Sequence, residues 1–293
     1  MFSKNFQYTI PVPVDQMFLK GAGRVHRSIN PGKYRPQSRA AESIGFFFIS
    51  SCLFCIDITV LENLPVDDSV LYTPHPQVFT PEAKTGFISE NLIMAVGALV
   101  GEPYSMLHEG HNIVNNLIPS IKEKKEYTGL GSEVELDFHI ENAALNFMGN
   151  MNFSPCGLIL MGVRHDPERP LTRVSDAREA LALLSQNDID QLSLPLYHIK
   201  VPYRWRSSIP GELQETELVP LIQGNIGLPE VAVAFYPDMV RPINDTAANA
   251  LNNFHNAIRK VSFGINVSPG RLVYIDNRFT LHSRDSSKPS FDE

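Results

Sequence analysis

The sequence predicts a mainly β protein with flanking helices, built around a double-stranded β-helix (jelly-roll) core. Three observations support this fold class. Short segments with strand periodicity or β-branched composition recur along the chain. The helical segments between them follow no regular β-α-β rhythm, and no Gly-x-Gly-x-x-Gly or P-loop motif is present. We expect a single domain over residues 1–293, in which residues 1–60 wrap a core formed by residues 128–293.

Composition and charge narrow the class of protein. The chain has 293 residues, 43% hydrophobic and 19% charged, which is enough for a sizeable core. Its net charge of −7 argues against nucleic acid or an anionic membrane as the main partner. The sequence shows no signal peptide and no apolar run long enough to span a bilayer. Three sparse cysteines indicate a reducing compartment, so we expect a cytoplasmic protein that handles small molecules.

The first half of the chain is predicted to contain strands and one helix. Residues 1–40 are expected to form a strand or short helices, and residues 44–60 one or two buried strands. The Cys52-x-x-Cys55 pair lies inside that apolar run, which favours buried thiols over a redox pair. Residues 89–101 predict a helix with Ser89 as N-cap and Gly101 at its end.

The segment His108-Glu109-Gly110-His111 superficially resembles a metal motif. Its histidines stand at i and i+3 rather than the i and i+4 of a zinc-binding helix, and Gly110 disfavours a helix. We therefore expect a loop near the mouth of a site.

The second half alternates strand-like and helical patterns. Apolar or β-branched runs predict the strands, and amphipathic spacing predicts the helices. The expected strands are Cys156–Val163, Tyr197–Trp205, Val231–Tyr236 and Leu272–Ile275, and the expected helices are Thr172–Leu184, Asp188–Leu192 and Ala247–Ser262.

The stretch Glu133–Asn142 carries the clearest signal for function. Acidic residues and a histidine occupy its odd positions and apolar residues its even positions, which is the period of a strand with one buried face. His139 and Glu141 therefore project to the same side, about 6–7 Å apart along the strand. An imidazole and a carboxylate so placed supply two ligands of a metal site.

A third ligand would complete the two-histidine-one-carboxylate triad that holds non-haem Fe(II). His282 offers it, because it follows the Pro269-Gly270 turn and the strand Leu272–Ile275. Taken alone, His139 and Glu141 equally fit a satisfied polar pair, with His282 a loop histidine.

Two segments resemble the clavaminate-synthase-like branch of Fe(II)/2-oxoglutarate oxygenases, which carries His-x-Glu where most relatives have His-x-Asp. They are Asp137-Phe-His-Ile-Glu-Asn-Ala143 and Pro269-Gly-Arg-Leu-Val-Tyr-Ile-Asp-Asn-Arg-Phe-Thr-Leu-His-Ser-Arg284. Shorter matches begin at Leu64, Tyr72 and Asn115, so the similarity covers most of the chain. The resemblance implies a jelly-roll fold and an iron site of His139, Glu141 and His282. It also implies hydroxylation of a free amino acid with 2-oxoglutarate and O₂ as co-substrates.

The same resemblance suggests roles for further residues. Thr172 matches a hydroxyl placed against 2-oxoglutarate, although an N-cap role explains it equally well. Asn115 matches an amide that holds the α-amino or carboxylate group of the substrate, or is a turn residue. Asp238 lies near the segment where members of that branch carry acidic residues for a cationic side chain, although a turn-initiating Asp is the more common role. Glu141 is also placed to meet the substrate amine.

Asp137 and Glu135 share the polar face of the predicted strand with the two ligands. From the sequence they are either partners of the metal ligands or solvated residues.

One part of the family pattern is missing. The resemblance implies an arginine beyond the distal histidine that pairs with the far carboxylate of 2-oxoglutarate. No arginine follows Arg284, which is too close to His282 to be our first choice. Either the C-terminus is truncated, which we expect, or the anchor is absent and catalysis is in doubt.

The segments Gly129–Asn142 and Val201–Arg206 look most like the lysine hydroxylases of this branch. L-Lysine is therefore the expected substrate. The alternatives are another free amino acid such as L-arginine, desaturation by the same iron, or a non-catalytic jelly-roll binding protein.

Overall fold

The computed structural model describes residues 8–11, 57–67, 86–106, 108, 112–119, 123–127, 131–147 and 153–288. Several expectations lie outside these residues: most of the predictions for residues 1–56, including Cys52 and Cys55, and the segment 109–111 that follows His108. The single-domain organisation over residues 1–293 stays a prediction.

The described residues contain twelve strands. In chain order they are β1 (Tyr8–Pro11), β2 (Ile58–Glu62), β3 (Leu136–His139), β4 (Gly157–Met161), β5 (Thr172–Asp176), β6 (Tyr197–Ile199), β7 (Ile222–Asn225), β8 (Leu228–Val231), β9 (Val240–Pro242), β10 (Phe263–Ile265), β11 (Leu272–Asp276) and β12 (Thr280–Arg284).

Five α-helices flank the strands of the described residues. They are α1 (Ile88–Val100), α2 (Ala177–Leu181), α3 (Gln186–Leu192), α4 (Tyr203–Arg206) and α5 (Asp245–Val261), with 3-10 helices at Ala143–Asn146 and Gly211–Leu213. None of these helices is both long and apolar enough to cross a bilayer.

Two four-stranded sheets form the body of the fold. Their strand orders are β1-β2-β11-β4 and β10-β5-β12-β3, and two short antiparallel strand pairs, β6-β9 and β7-β8, complete the strand pairings of the described residues. The chain crosses from the first sheet to the second between β11 and β12. In the second sheet, β12 pairs antiparallel with both β3 and β5.

The apolar residues divide into layers that follow the alternation of side chains along each strand. Val273 and Ile275 of β11 join Ile58 and Val60 of β2, and Val174 and Ile265 of the second sheet, in one cluster between the sheets. Leu272 and Tyr274, on the opposite face of β11, pack against Leu92 and Val96 of α1. Helices α2, α3 and α5 cover the outer face of the second sheet. This arrangement of facing sheets with helices outside is the predicted jelly-roll class.

Helix α1 confirms the predicted helix but begins differently. Its N-cap is Phe87 and not Ser89, and it ends as predicted at Gly101. The first turn is instead capped from a distance by Asp67, whose carboxylate accepts hydrogen bonds from the backbone N–H groups of Ile88 (2.9 Å) and Ser89 (3.1 Å). The Ser89 hydroxyl also donates to Asp67, at 2.7 Å. The anionic cap satisfies N–H groups that have no partner within the helix.

The predicted helix Thr172–Leu184 is wrong in its first part. Thr172–Asp176 is strand β5, because β10 and β12 pair with it on its two sides. The helix begins only at Ala177, where the Asp176 side chain accepts a hydrogen bond from the N–H of Arg178. Long-range pairing therefore overrides local helix propensity here. An N-cap role for Thr172 is excluded, since it lies inside a strand.

Three predicted strands are also shorter or less buried than expected. Of Val231–Tyr236, only Val231 belongs to a strand, β8. Tyr197–Trp205 divides into strand β6 and helix α4. Cys156–Val163 contains β4, which is half-buried along its length because it forms the edge of its sheet. The predicted helices at Asp188–Leu192 and Ala247–Ser262 are confirmed as α3 and α5.

Candidate metal centre

His139 and His282 are brought together by strand pairing. Strand β3 runs antiparallel to β12, and His139 is the direct register partner of His282. His282 is also the partner of Val174, which belongs to the cluster between the sheets, so both imidazoles face the space between the sheets. Their ring centroids lie 4.2 Å apart, and 6% of His139 and 9% of His282 are exposed.

Glu141 reaches the same point from just beyond β3. The predicted strand Glu133–Asn142 is regular only over Leu136–His139, and it ends where Asn142 adopts a left-handed conformation (φ 55°). An Oε2 atom of Glu141 lies 3.8 Å from Nε2 of His139 and 3.7 Å from Nε2 of His282. The structure thus brings together all three predicted metal ligands, with one donor atom from each within 4.8 Å of the others.

Asn277 holds the backbone of Glu141 in place. Its Oδ1 atom accepts a hydrogen bond from the Glu141 N–H at 2.8 Å, and its Nδ2 donates to the Glu141 carbonyl at 3.2 Å and to that of Pro155 at 2.8 Å. Asn277 is 1% exposed. The turn between β11 and β12 therefore fixes the third ligand as well as placing His282.

The electrostatics of the triad suit a divalent cation. Burial raises the pKa of Glu141, but hydrogen bonding and attraction from His139 and His282 outweigh burial and hold that pKa well below its usual range. Burial, together with repulsion by His139, lowers the pKa of His282 to about 4. At neutral pH the site therefore offers a carboxylate and a neutral His282 imidazole. Two imidazoles and one carboxylate on one face are the donor set of non-haem Fe(II) centres.

The polar residues beside the ligands are structured. Asp137 is 15% exposed in its side chain and lies 3.0 Å from Nε2 of His255 and 2.8 Å from Nη2 of Arg259. Burial raises its pKa, but these hydrogen bonds and that of the Phe138 N–H bring it to about 2. Glu135 also pairs with Arg259, at 2.9 Å. Asp137 and Glu135 are thus partners of helix α5, and the backbone carbonyl of Asp137 in addition contacts Nδ1 of His139 at 2.9 Å.

An aromatic wall, defined as Tyr127, Tyr203 and Tyr236, adjoins the triad. Tyr236 meets His139 edge to face at 5.5 Å. Tyr127 stacks on Tyr236 at 6.3 Å, and Tyr203 lies 6.0 Å from Tyr236. Burial, followed by the negative charge of Glu141, raises the pKa of Tyr236, which keeps its hydroxyl protonated. Nothing in the spacing of these three tyrosines along the sequence indicates that they converge.

Thr172 lies near the triad in the second sheet. It begins β5 and is the register partner of Arg284, two residues along β12 from His282. Residues two apart on a strand share a face, which places Thr172 on the face of Val174, the neighbour of His282. Arg284 donates to the Val134 carbonyl at 3.4 Å, and burial lowers the pKa of its guanidinium.

Among the described residues, Asn115 and Asp238 form no hydrogen bond or ion pair with the triad. Asn115 is exposed in an irregular segment, and no hydrogen bond joins it to the triad within the part of the chain that is described. Asp238 has a positive φ of 58°, a conformation that Asp tolerates in turns, and its side chain is 56% exposed. Its carboxylate contacts Nζ of Lys200 at 2.6 Å and Nη1 of Arg206 at 2.9 Å. It lies two residues beyond Tyr236 of the aromatic wall.

His108 is exposed and takes part in no triad contact. Its Nδ1 lies 3.1 Å from the Ser208 hydroxyl, and its ring is 5.4 Å from that of Trp205. Among the residues that the structure describes, the only group of three or more His, Cys, Asp or Glu side chains placed to hold a metal is the triad.

Known proteins share this sequence pattern and fold. An L-asparagine oxygenase of Streptomyces coelicolor is 27% identical over 235 residues, which cover 80% of this chain and 66% of that protein. An L-lysine 3-hydroxylase of Catenulispora acidiphila is 27% identical over 241 residues, covering 80% of this chain and 63% of that protein. The resemblance to clavaminate-synthase-like oxygenases is confirmed. The chain spans about two thirds of the length of these two relatives, and no family model matches it.

A solved structure extends the likeness to the fold. The structure of asparagine oxygenase in complex with Fe(II), (2S,3S)-3-hydroxyasparagine and succinate has a TM-score of 0.74 to this chain and 24% sequence identity. The likeness covers 86% of this chain and 77% of that one. The predicted double-stranded β-helix is confirmed by this similarity.

Proposed function

We propose that this protein is an Fe(II)- and 2-oxoglutarate-dependent oxygenase that hydroxylates an unactivated C–H bond of a free L-amino acid. The observation that carries the proposal is the convergence of His139, Glu141 and His282 between the two sheets, with ligand atoms within 4.8 Å of one another. The confirmed resemblance to amino acid oxygenases supports the reaction class.

Each ligand has a defined part in holding the metal. Glu141 would supply the negative charge, and the imidazoles of His139 and His282 would supply two nitrogen donors. Three ligands on one face leave the remaining positions open for 2-oxoglutarate and O₂. Bound Fe(II) supplies the redox chemistry by which the amino acid, 2-oxoglutarate and O₂ become the hydroxylated amino acid, succinate and CO₂.

The protein also has to exclude water from the reacting centre. Both histidines are nearly buried, and Tyr236 covers one side of His139. A dry site prevents side reactions and strengthens the electrostatic hold on charged groups. Thr172 is proposed to place its hydroxyl against 2-oxoglutarate, because it shares the inward face with His282.

Substrate contacts are proposed for three residues. Glu141 is proposed to meet the α-amino group with its second oxygen, and Asn115 to hold the α-amino or α-carboxylate group. Asp238 is proposed to receive a cationic side chain next to the aromatic wall. Since Lys200 and Arg206 already pair with this carboxylate, a cationic substrate has to share it with them.

L-Lysine is the specific substrate that we propose, with L-arginine as the runner-up. An L-lysine 3-hydroxylase among the relatives supports lysine. An L-asparagine oxygenase of equal sequence identity instead supports a substrate with a neutral side chain. The pairing of Asp238 with Lys200 and Arg206 supports the same alternative.

The experiment is turnover with Fe(II), 2-oxoglutarate, O₂ and each proteinogenic amino acid. Succinate and a product heavier by one oxygen are read by mass spectrometry. Lysine alone giving product supports the substrate, whereas asparagine or arginine giving product keeps the reaction class and rejects lysine. Asp238→Asn should raise KM for a basic substrate and leave that for a neutral one unchanged.

A non-catalytic jelly-roll binding protein is the competing function. This alternative predicts that the protein binds a metal and a ligand but releases no succinate. His139→Ala serves as the inactive reference. His198→Ala is the matched control, because Nδ1 of His198 contacts a backbone carbonyl, that of Thr216, at 2.8 Å without joining the triad. Full succinate release from His139→Ala would show that the activity does not come from this site.

A further inference from the structure

We propose that His255 and Arg259 of α5 are positioning residues for the metal centre. By holding the carboxylate of Asp137, they fix the imidazole of His139 in the tautomer that presents Nε2 to the metal. This inference rests on the proposed function, and it assigns a positioning role at the metal centre to a helix on the outer side of the sheet.

The tautomer of His139 follows from its backbone contact. Nδ1 of His139 lies 2.9 Å from the carbonyl oxygen of Asp137. A carbonyl oxygen only accepts, so Nδ1 has to carry the proton. Nε2 is then left with its lone pair directed toward Glu141 and His282, as a metal ligand requires.

The same peptide unit is held from its other side. The unit that joins Asp137 to Phe138 consists of the Asp137 carbonyl and the Phe138 N–H. The Asp137 carboxylate accepts from that N–H through Oδ1, at 2.7 Å. Because a peptide unit is planar, fixing its N–H also fixes the direction of its carbonyl. The orientation of the carboxylate thus sets the position of the acceptor for His139.

Helix α5 in turn fixes the carboxylate. Oδ2 of Asp137 lies 3.0 Å from Nε2 of His255 and 2.8 Å from Nη2 of Arg259. The His255 ring stacks on Phe235, with centroids 4.4 Å apart and planes 12° apart. The Phe235 N–H donates to the Phe138 carbonyl at 2.9 Å, so this stack is tied to β3 itself. His255 and Arg259 are one helical turn apart, and both therefore face the same strand.

A purely structural role for these contacts is the alternative. It is the weaker one, because α5 is already docked by apolar residues, among them Phe254 and Ile258, which are fully buried. His282 offers a comparison within the site. Its Nδ1 atom is buried with no hydrogen-bond partner in the described part of the chain. Of the two imidazoles, His139 is the one whose orientation the surrounding protein sets.

The test measures metal affinity and the His139 proton separately from stability. Co²⁺ is titrated into the full-length protein, and the Nδ1–H resonance of His139 is followed by NMR in the Zn²⁺-loaded form. The variants are Arg259→Ala and His255→Phe. The second keeps the ring stack on Phe235 and removes the contact of Nε2 with the Asp137 carboxylate. Arg241→Ala is the control, because it breaks an ion pair with Glu215 of similar length (3.1 Å) away from the triad.

We expect Arg259→Ala and His255→Phe to weaken Co²⁺ binding about tenfold, as loss of a partner behind a metal ligand typically does. Exchange of the His139 Nδ1–H with water should accelerate, and Arg259→Lys should recover most of the affinity. Arg241→Ala should change neither quantity. Thermal unfolding of the metal-free variants is recorded alongside, since a structural role alone lowers Tm without changing the exchange of this proton.

Unchanged Co²⁺ affinity and unchanged Nδ1–H exchange in both variants would overturn the inference, whatever their Tm. Failure of the wild-type protein to bind Co²⁺ through His139 would overturn the proposed function and this inference with it. If the wild-type protein binds Co²⁺ through His139 and both variants match it in affinity and Nδ1–H exchange, only this inference is rejected. The two failures are therefore distinguishable.

Discussion

The side chain of Asn277 binds both backbone polar groups of Glu141, although the two residues are 136 positions apart. Asn277 belongs to the turn that leads into β12, and Glu141 follows β3. One amide therefore links the turn before His282 to Glu141, the residue that follows His139 by two positions. The backbone of the proposed carboxylate ligand is thus fixed by hydrogen bonds from the protein itself.

The first prediction concerns this amide. Asn277→Ala removes three hydrogen bonds. It leaves the part-buried Glu141 N–H and Pro155 carbonyl without this partner, while the Glu141 carbonyl keeps its bond from the Ser154 hydroxyl. We expect a loss of about 2–4 kcal/mol in the free energy of unfolding, together with weaker metal binding. Urea denaturation with and without Zn²⁺ measures both. Asn225→Ala is the control, because Asn225 also accepts from a backbone N–H, that of Gly227, but on the surface. Equal stability of the two variants would contradict the prediction.

The second prediction concerns metal linkage. A ligand that binds only the folded state stabilises it by about 2.7 kcal/mol at one hundred times its Kd. Adding Fe²⁺ anaerobically, or Zn²⁺, should therefore raise Tm, and a chelator should reverse the rise. Glu141→Gln and His282→Ala should abolish it, since each removes one of three ligands. A rise in Tm that persists in both variants would place the bound metal elsewhere.

Part of the site is predictable from local pattern. The period-two alternation around His139 and Glu141 places both on one side, and the structure agrees, although β3 is shorter than expected. His282 is different, because only its resemblance to a known motif connected it with a strand so far away in the sequence. The fold class follows from strand-like segments without a regular β-α-β order, and is confirmed.

Other features depend on contacts that no local pattern contains. Thr172–Asp176 has the composition of a helix start, yet two neighbouring strands pair with it. Ser89 has the composition of an N-cap, yet Asp67 caps the helix from a distant loop. The contacts of His255 and Arg259 with Asp137 arise only when α5 packs on the second sheet. Their spacing of four residues was the one available signal, and it is common on solvated helix faces.

The third prediction concerns the cap of α1. Asp67→Ala removes the acceptor of two backbone N–H groups and of the Ser89 hydroxyl. We expect a loss of about 1–2 kcal/mol in the free energy of unfolding, the usual range for helix caps. Asp67→Asn should lose less, because it keeps an acceptor oxygen, and chemical denaturation of both variants tests the order. Equal losses in the two variants would show that charge, and not hydrogen bonding, is what the helix requires.

The fourth prediction concerns the dependence of stability on pH. Burial, followed by the negative charge of Asp176, raises the pKa of Asp57 from 3.8 to about 6. Between these values the folded protein binds more protons at Asp57 than the unfolded chain does. This residue's contribution to stability is therefore fully present below pH 4 and is lost as pH rises through about 6.

Asp57→Asn removes this titration. The free energy of unfolding of the variant minus that of the wild type should increase from pH 4 to pH 7, by at most about 3 kcal/mol. The variant thus becomes relatively more stable as the pH rises. Denaturation at several pH values measures it, and Asp190→Asn, on the exposed face of α3, is the control. A difference that stays constant with pH would show that Asp57 titrates alike in the folded and unfolded chain, and that burial beside Asp176 does not perturb it.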